Sequence, residues 1–131
     1  MENMTTNANL YVAQATRTES RDFPAIAERL AQPDNIRLLH AALGLATEAG
    51  EFQDALKKHL FYGKPLDTVN LVEELGDLCW YLAIAMDTLG VPFEEVLTRN
   101  IAKLRARYPE KFTEAHALTR DLATERAILE S

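Results

Sequence analysis

The sequence is poor in the residues that build disulfide frameworks, long loops and membrane spans. It has 1 cysteine, 5 glycines and 5 prolines in 131 residues. The lone Cys79 excludes a disulfide within the chain and a thiolate zinc site, and it suits a reducing compartment. No apolar run approaches the roughly 18 residues that cross a membrane. Residues 1–8 lack the basic and apolar regions of a signal peptide, so we expect a cytoplasmic protein with no membrane partner.

Positive charge is also scarce. The chain has 14 Lys and Arg against 20 Asp and Glu, which gives a net charge of −6. Because nucleic-acid-binding proteins present basic surfaces, we expect no nucleic-acid partner. Hydrophobic residues make up 47% and charged residues 26%, which is an ordinary globular balance. The length and composition therefore predict a single domain over residues 1–131.

The apolar residues recur with the 3.6-residue period of α-helices, and no alternating strand pattern stands out. Short connections predict that successive helices pack antiparallel, so we expect an all-α bundle of about five helices. The predicted helices span residues 9–19, 35–61, 67–89, 92–107 and 113–129. The window from Leu75 to Ala85 is apolar on nearly every face, which favours a homodimer or homotetramer whose partner helices complete the core.

Two acidic pairs stand out on the predicted second and third helices. Glu48 and Glu51 form one pair, and Glu74 and Asp77 form the other. The i,i+3 spacing places both carboxylates of a pair on one helix face, and the intervening turn allows the pairs to face each other. None of the four acids has a basic residue four positions later. Exposed acidic faces are the simple interpretation, but uncompensated, converging carboxylates favour a hard cation, Mg²⁺ or Mn²⁺.

Other metal chemistries find no support in the sequence. A di-iron helical bundle uses Glu-x-x-His motifs, and none of the 3 histidines has Glu three residues before it. The histidines are scattered, which is typical of surface or structural residues rather than ligands.

A basic segment spans the second half of the predicted fourth helix and the residues just after it, with its cationic residues at Arg99, Lys103, Arg105, Arg107 and Lys111. Such a group beside a divalent cation suggests phosphate binding, although a solvated basic face is the simpler alternative for each residue. No glycine-rich phosphate loop is present, so side chains and metal would have to hold any phosphate. Tyr81 lies one helical turn after Asp77, where its ring could stack on a base or simply pack in the core.

Three segments together resemble the MazG-like superfamily of all-α nucleoside triphosphate pyrophosphohydrolases, in its short single-domain bacterial and phage form. The segments run from Leu43 to Glu51, from Glu73 to Leu82 and from Asn100 to Pro109. The resemblance covers about residues 36–112 and leaves a helical tail over 113–131. It implies Mg²⁺-dependent hydrolysis of an NTP or dNTP to the monophosphate and pyrophosphate, with a role in controlling nucleotide pools.

The resemblance also implies roles for individual residues. Glu48, Glu51, Glu74 and Asp77 correspond to the metal ligands, with Mn²⁺ as a possible substitute for Mg²⁺. Asn100, Lys103 and Arg107 correspond to residues that hold phosphates or sugar, and Tyr81 to a residue that contacts the base. Some members carry an extra Glu before the first motif, where this chain has Thr47, so we assign activation of the water to Glu51.

Two alternatives remain open at the level of sequence. One is phosphoribosyl-ATP pyrophosphohydrolase, in the same superfamily. The other is a helical interaction module without catalysis, which would have no need to direct four carboxylates at one point.

Overall fold

The computed structural model describes residues 7–131, and within that range the secondary structure is entirely helical. The prediction of an all-α protein is confirmed. The helices are α1 Ala8–Thr16, α2 Phe23–Leu30, α3 Pro33–Tyr62, α4 Thr68–Leu89, α5 Phe93–Arg107, α6 Glu114–Leu118 and α7 Leu122–Glu130. The described residues divide into two compact units, one that ends at residue 36 and one over residues 37–131.

The first unit holds α1, α2 and the beginning of α3. The helix predicted over 9–19 ends at Thr16, and α2 lies in a stretch for which no helix was predicted. Asp22 caps α2, since its side chain accepts a hydrogen bond from the Ala25 N–H at 3.2 Å. Pro24 lies in the first turn of α2, where a missing N–H costs nothing. Pro24 therefore belongs to the beginning of α2.

The second unit is organised by the long helices α3 and α4. Gly63 ends α3 with φ of 68°, and Gly90 ends α4 with φ of 65°, both in the left-handed region that favours glycine. Asp67 caps α4 by accepting a hydrogen bond from the Asn70 N–H at 3.0 Å.

Contacts along the two helices show that α3 and α4 are antiparallel neighbours. The pairs that meet are Arg37 with Asp87, Gly44 with Tyr81, and Glu48 with Asp77. Residue numbers rise along α3 as they fall along α4. The predicted antiparallel arrangement is thus confirmed for these two helices.

The C-terminal part of the second unit corrects the prediction of one helix over 113–129. The structure has two helices there, so the described residues contain seven helices rather than about five. The break has a local cause. Asp121 accepts hydrogen bonds from the backbone N–H of Thr124 at 3.0 Å and from its hydroxyl at 2.7 Å, which starts a new helix.

The second unit leaves most of its large apolar side chains uncovered. Ala41 is the only buried hydrophobic side chain among the described residues. On α4, Leu75 is 51% exposed and Trp80 is 58% exposed. None of the described helices combines the length and apolarity that a membrane span requires.

Candidate metal centre

Three carboxylates converge where α3 and α4 run side by side. One oxygen each from Glu48, Glu74 and Asp77 lies within 4.8 Å of the other two. The i,i+3 spacing of Glu74 and Asp77 puts both on one face of α4, and the antiparallel register brings Glu48 of α3 opposite them. The sequence-predicted acids therefore meet across the helix interface, with the exception of Glu51.

The three carboxylates repel one another. The pKa of Glu48 is raised, first because the group is partly withdrawn from water and then because of the neighbouring Glu74, Asp77 and Glu51 carboxylates. Glu74 is 7% exposed. In residues 7–131 no Lys, Arg or His forms an ion pair with any of these acids. A buried or half-buried group of acids without a counter-charge is expensive, so a cation would relieve it.

The donor set fits a hard divalent cation. All three groups offer carboxylate oxygens, which Mg²⁺ and Mn²⁺ prefer, and no sulfur or imidazole joins them. Asn70, one turn before Glu74, donates from Nδ2 to Glu74 Oε1 at 2.9 Å. A hydrogen bond of this kind orients a metal-binding carboxylate, and sequence reasoning missed this residue. The four-residue spacing to an acid was the available signal.

Glu51 lies one turn beyond Glu48 and is exposed. It is close enough to contribute to the raised pKa of Glu48, but it does not join the three-oxygen cluster. Instead it lines a cavity of about 410 Å³ together with Lys58, Lys64 and Asn70. The predicted acidic quartet is therefore a cluster of three with a fourth carboxylate beside it.

Tyr81 is half-buried against α3. A Cβ placed on Gly44 would lie 2.2 Å from its ring carbons, so the ring packs where only glycine leaves room. The ring also contacts His40, at 5.7 Å between centroids, and Trp80, at 4.8 Å. Tyr81 thus has a fixed position one turn from Asp77.

The basic segment on α5 is separate in its contacts from the acidic cluster. Asn100 is exposed and Lys103 is half-buried. Arg107 donates from Nε and Nη2 to the two oxygens of Glu125, at 2.8 and 2.9 Å. No hydrogen bond or ion pair within the described part of the chain joins these three residues to the carboxylate cluster.

Glu125 is a further residue whose structural role was not predicted from the sequence. It is 5% exposed, and Arg120 closes on it from α7's N-terminal side at 2.5 Å. Hydrogen bonds from Arg107 and Arg120 lower the pKa of Glu125 to about 2 and raise the pKa of Arg107. The pair joins α5 to α7. Its 18-residue separation left no helical-spacing signal in the sequence.

Comparison with known proteins agrees with this geometry. Residues 38–112, more than half of the chain, match the MazG nucleotide pyrophosphohydrolase domain. The "Gene 37 protein" of Mycobacterium phage L5 is 36% identical over 74 residues, which cover 53% of this chain and 65% of that protein. The match thus spans less than two thirds of the phage protein. No solved structure was found to be similar. On the domain match, the chain belongs to the MazG nucleotide pyrophosphohydrolase family.

Proposed function

We propose that this protein hydrolyses nucleoside or deoxynucleoside triphosphates to the monophosphate and pyrophosphate, with Mg²⁺. The observation that carries the proposal is the cluster of Glu48, Glu74 and Asp77, whose oxygens lie within 4.8 Å of one another and form no ion pair with a basic residue in the described part of the chain. The cluster lies inside the matched family region, residues 38–112. The Mg²⁺ ion that accompanies a nucleoside triphosphate would supply positive charge to these carboxylates.

Glu48, Glu74 and Asp77 would hold the cation, with Asn70 fixing the orientation of Glu74. When bound, the cation supplies Lewis acidity toward water and phosphate oxygens. Glu51 is exposed and outside the three-oxygen cluster, so it is free to accept a proton from the attacking water. This role suits a chain that has Thr47 where some relatives of the superfamily carry a further acid.

The substrate would extend from the carboxylates toward Tyr81 at its nucleoside end. The fixed ring next to Gly44 offers a rigid surface for a base. Asn100 and Lys103 remain candidates for contacts to sugar and phosphate, and Lys103 forms no ion pair among the described residues. Arg107 could serve a phosphate only if it gave up its two hydrogen bonds to Glu125.

We also propose a homodimer or homotetramer. The apolar residues Leu75 and Trp80 of α4 are more than half exposed, at 51% and 58%. A helix that is apolar on several faces requires neighbours, and partner helices of a second copy would supply them.

The test is a screen of the common NTPs and dNTPs with Mg²⁺, with separate chromatographic detection of pyrophosphate and orthophosphate. We expect pyrophosphate and monophosphate in equal amounts. Asp77→Asn and Glu51→Gln should each lose most activity while the helical circular dichroism signal survives, because each removes a carboxylate from the site without shortening the side chain. Glu73→Gln is the matched control, since Glu73 is an exposed acid on the same helix outside the cluster.

Two results would refute the proposal. One is orthophosphate released with an equal amount of nucleoside diphosphate, which would mean that the outer anhydride bond is broken. The other is full turnover in Asp77→Asn, which would separate the activity from the carboxylate cluster.

A further inference from the structure

A second cavity-lining group of charges adjoins the carboxylate cluster. The cavity of about 410 Å³ lies between the end of α3 and the start of α4. Its volume is in the range of small-molecule sites. Two of its lining residues connect it to the cluster: Asn70 donates a hydrogen bond to Glu74, and Glu51 follows Glu48 by one helical turn on α3.

Most charges around the cavity already have partners. Asp54 accepts ion pairs from Lys57 at 3.3 Å and from Lys58 at 2.5 Å. The Asp67 side chain caps α4 through the Asn70 N–H. These contacts give Asp54 and Asp67 structural roles. Among the charged residues that line the cavity, Glu51 and one lysine form no ion pair within residues 7–131.

That lysine is Lys64, which lines the cavity and forms no ion pair within residues 7–131. Its backbone is nevertheless held firmly. The Lys64 N–H donates to the Lys58 carbonyl oxygen at 3.1 Å, and His59 donates from Nδ1 to the Lys64 carbonyl oxygen at 2.8 Å. Pro65 follows and restricts the Lys64 backbone further. The fold thus fixes the backbone of a lysine whose ammonium group has no counter-ion among the described residues.

A phosphate chain needs positive charge beyond the metal, and the arginine that the sequence suggested for it is already engaged. Both Arg107 donors that face Glu125 are used, and Glu125 is nearly completely buried. Moving Arg107 to a phosphate would break both of its hydrogen bonds to this buried carboxylate and leave Arg120 as its remaining arginine partner, which is costly. Lys64 requires no such displacement, because its ammonium group exchanges only water for phosphate.

We infer that this cavity is the subsite for the terminal phosphates, with Lys64 binding the β- and γ-phosphate oxygens that leave as pyrophosphate. The inference rests on the proposed function and adds a specific residue and ligand to it. It accounts for a lysine and a group of carboxylates that lie near each other and form no ion pairs among the described residues. Mg²⁺ would compensate the carboxylates, and the pyrophosphate anion would compensate Lys64. Lys58, which keeps its ion pair with Asp54, lies in the same cavity as a secondary contact.

The experiment measures binding of inorganic pyrophosphate to the full chain in the presence of Mg²⁺ by isothermal titration calorimetry. Lys64→Ala should weaken pyrophosphate binding about tenfold, as expected for the loss of one hydrogen bond to a charged group. Lys57→Ala is the matched control, because Lys57 carries the same charge seven residues earlier, near the end of α3, but does not line the cavity. It should bind pyrophosphate as the wild type does. Mn²⁺ titrations without pyrophosphate report on the carboxylate cluster separately.

Weaker pyrophosphate binding in Lys64→Ala, with Mn²⁺ affinity near the wild-type value, supports the subsite. Unchanged pyrophosphate binding overturns it, and so does a wild type that binds no pyrophosphate. Tighter Mn²⁺ binding in Lys64→Ala with unchanged pyrophosphate affinity would identify the cavity as a second cation site instead. Pyrophosphate binding that depends on Lys64, in a protein that hydrolyses no nucleotide in the screen, would refute the proposed function and leave the subsite standing.

Discussion

The contact between Gly44 and Tyr81 gives a sharp test of how α3 and α4 pack. Gly44 is buried in the interior of α3, and a Cβ built on it would lie 2.2 Å from the nearest Tyr81 ring carbons. Carbon atoms in good contact are about 3.5–4.0 Å apart. A methyl group at position 44 would therefore require the ring or the helix to move by more than about 1 Å.

Gly50 provides the matched control for Gly44→Ala. It lies in the same helix, and a Cβ built there meets nothing within 4 Å. Both substitutions gain about 1 kcal/mol from the better helix propensity of alanine. Only Gly44→Ala adds the cost of overpacking, about 1–3 kcal/mol. Because the propensity gain cancels in the comparison, the difference between the two variants isolates the clash with Tyr81.

The measurement is urea unfolding followed by circular dichroism, at one protein concentration because assembly shifts apparent stability. Gly44→Ala should be less stable than Gly50→Ala by about 1–3 kcal/mol, which corresponds to about 4–12 °C in the unfolding temperature. In a Tyr81→Ala background the same difference should largely vanish, since the obstructing ring is gone. Equal stability of Gly44→Ala and Gly50→Ala in the presence of Tyr81 would refute the described packing.

Three further predictions concern the buried acids and the exposed apolar face. The pKa of Glu125 is lowered from 4.5 to about 2, so its stabilisation is present above pH 4.5 and is lost as the pH falls toward 2. Glu125→Gln should be less stable at neutral pH and lose less stability over that window in urea titrations, and an identical pH profile would contradict the ion pair with Arg107. The raised pKa of Glu48 has the opposite sign, because ionisation destabilises the metal-free fold as the pH rises. Glu48→Gln should therefore unfold at higher urea at neutral pH without metal and bind Mn²⁺ at least about tenfold more weakly, whereas unchanged Mn²⁺ affinity would exclude Glu48 as a ligand. Trp80, the 1 tryptophan of the chain, is 58% exposed, so its emission should shift to longer wavelength as an oligomer dissociates on dilution, and a concentration-independent spectrum with monomeric sedimentation would contradict the proposed assembly.

Much of the fold followed from patterns that act over a few residues. The predicted helices 67–89 and 92–107 correspond to α4 and α5 within one residue at each end, because Asp67, Gly90 and Pro92 mark their boundaries chemically. The two errors arose where a local cap competes with a periodic pattern. No helix was predicted around Pro24, although proline suits a first turn, and Asp121 starts a new helix inside an otherwise periodic tail.

Some features of the candidate site were predictable from the sequence, and others depend on tertiary contacts. Glu74 and Asp77 share a helix face by spacing alone, and the antiparallel turn makes their meeting with Glu48 predictable. The separation of Glu51 from the cluster depends on side-chain direction at the edge of the interface, which spacing does not encode. The pairing of Arg107 with Glu125 depends on where α7 lies against α5, a tertiary contact with no local pattern in the sequence.

The two groups of buried acid in this chain have opposite electrostatics, and the contrast argues for a ligand at one of them. Glu125 is nearly buried and receives two arginines, which keep its pKa low. Glu74 is similarly buried, yet its neighbours are two more carboxylates and an amide. The protein places two arginines beside the buried Glu125, and none of the described residues pairs a basic side chain with the buried Glu74. An acidic group left uncompensated weakens the metal-free fold, and such a cost is typical of positions kept for function rather than stability. A divalent cation would offset most of the negative charge of Glu48, Glu74 and Asp77, whereas Arg107 and Arg120 already compensate Glu125.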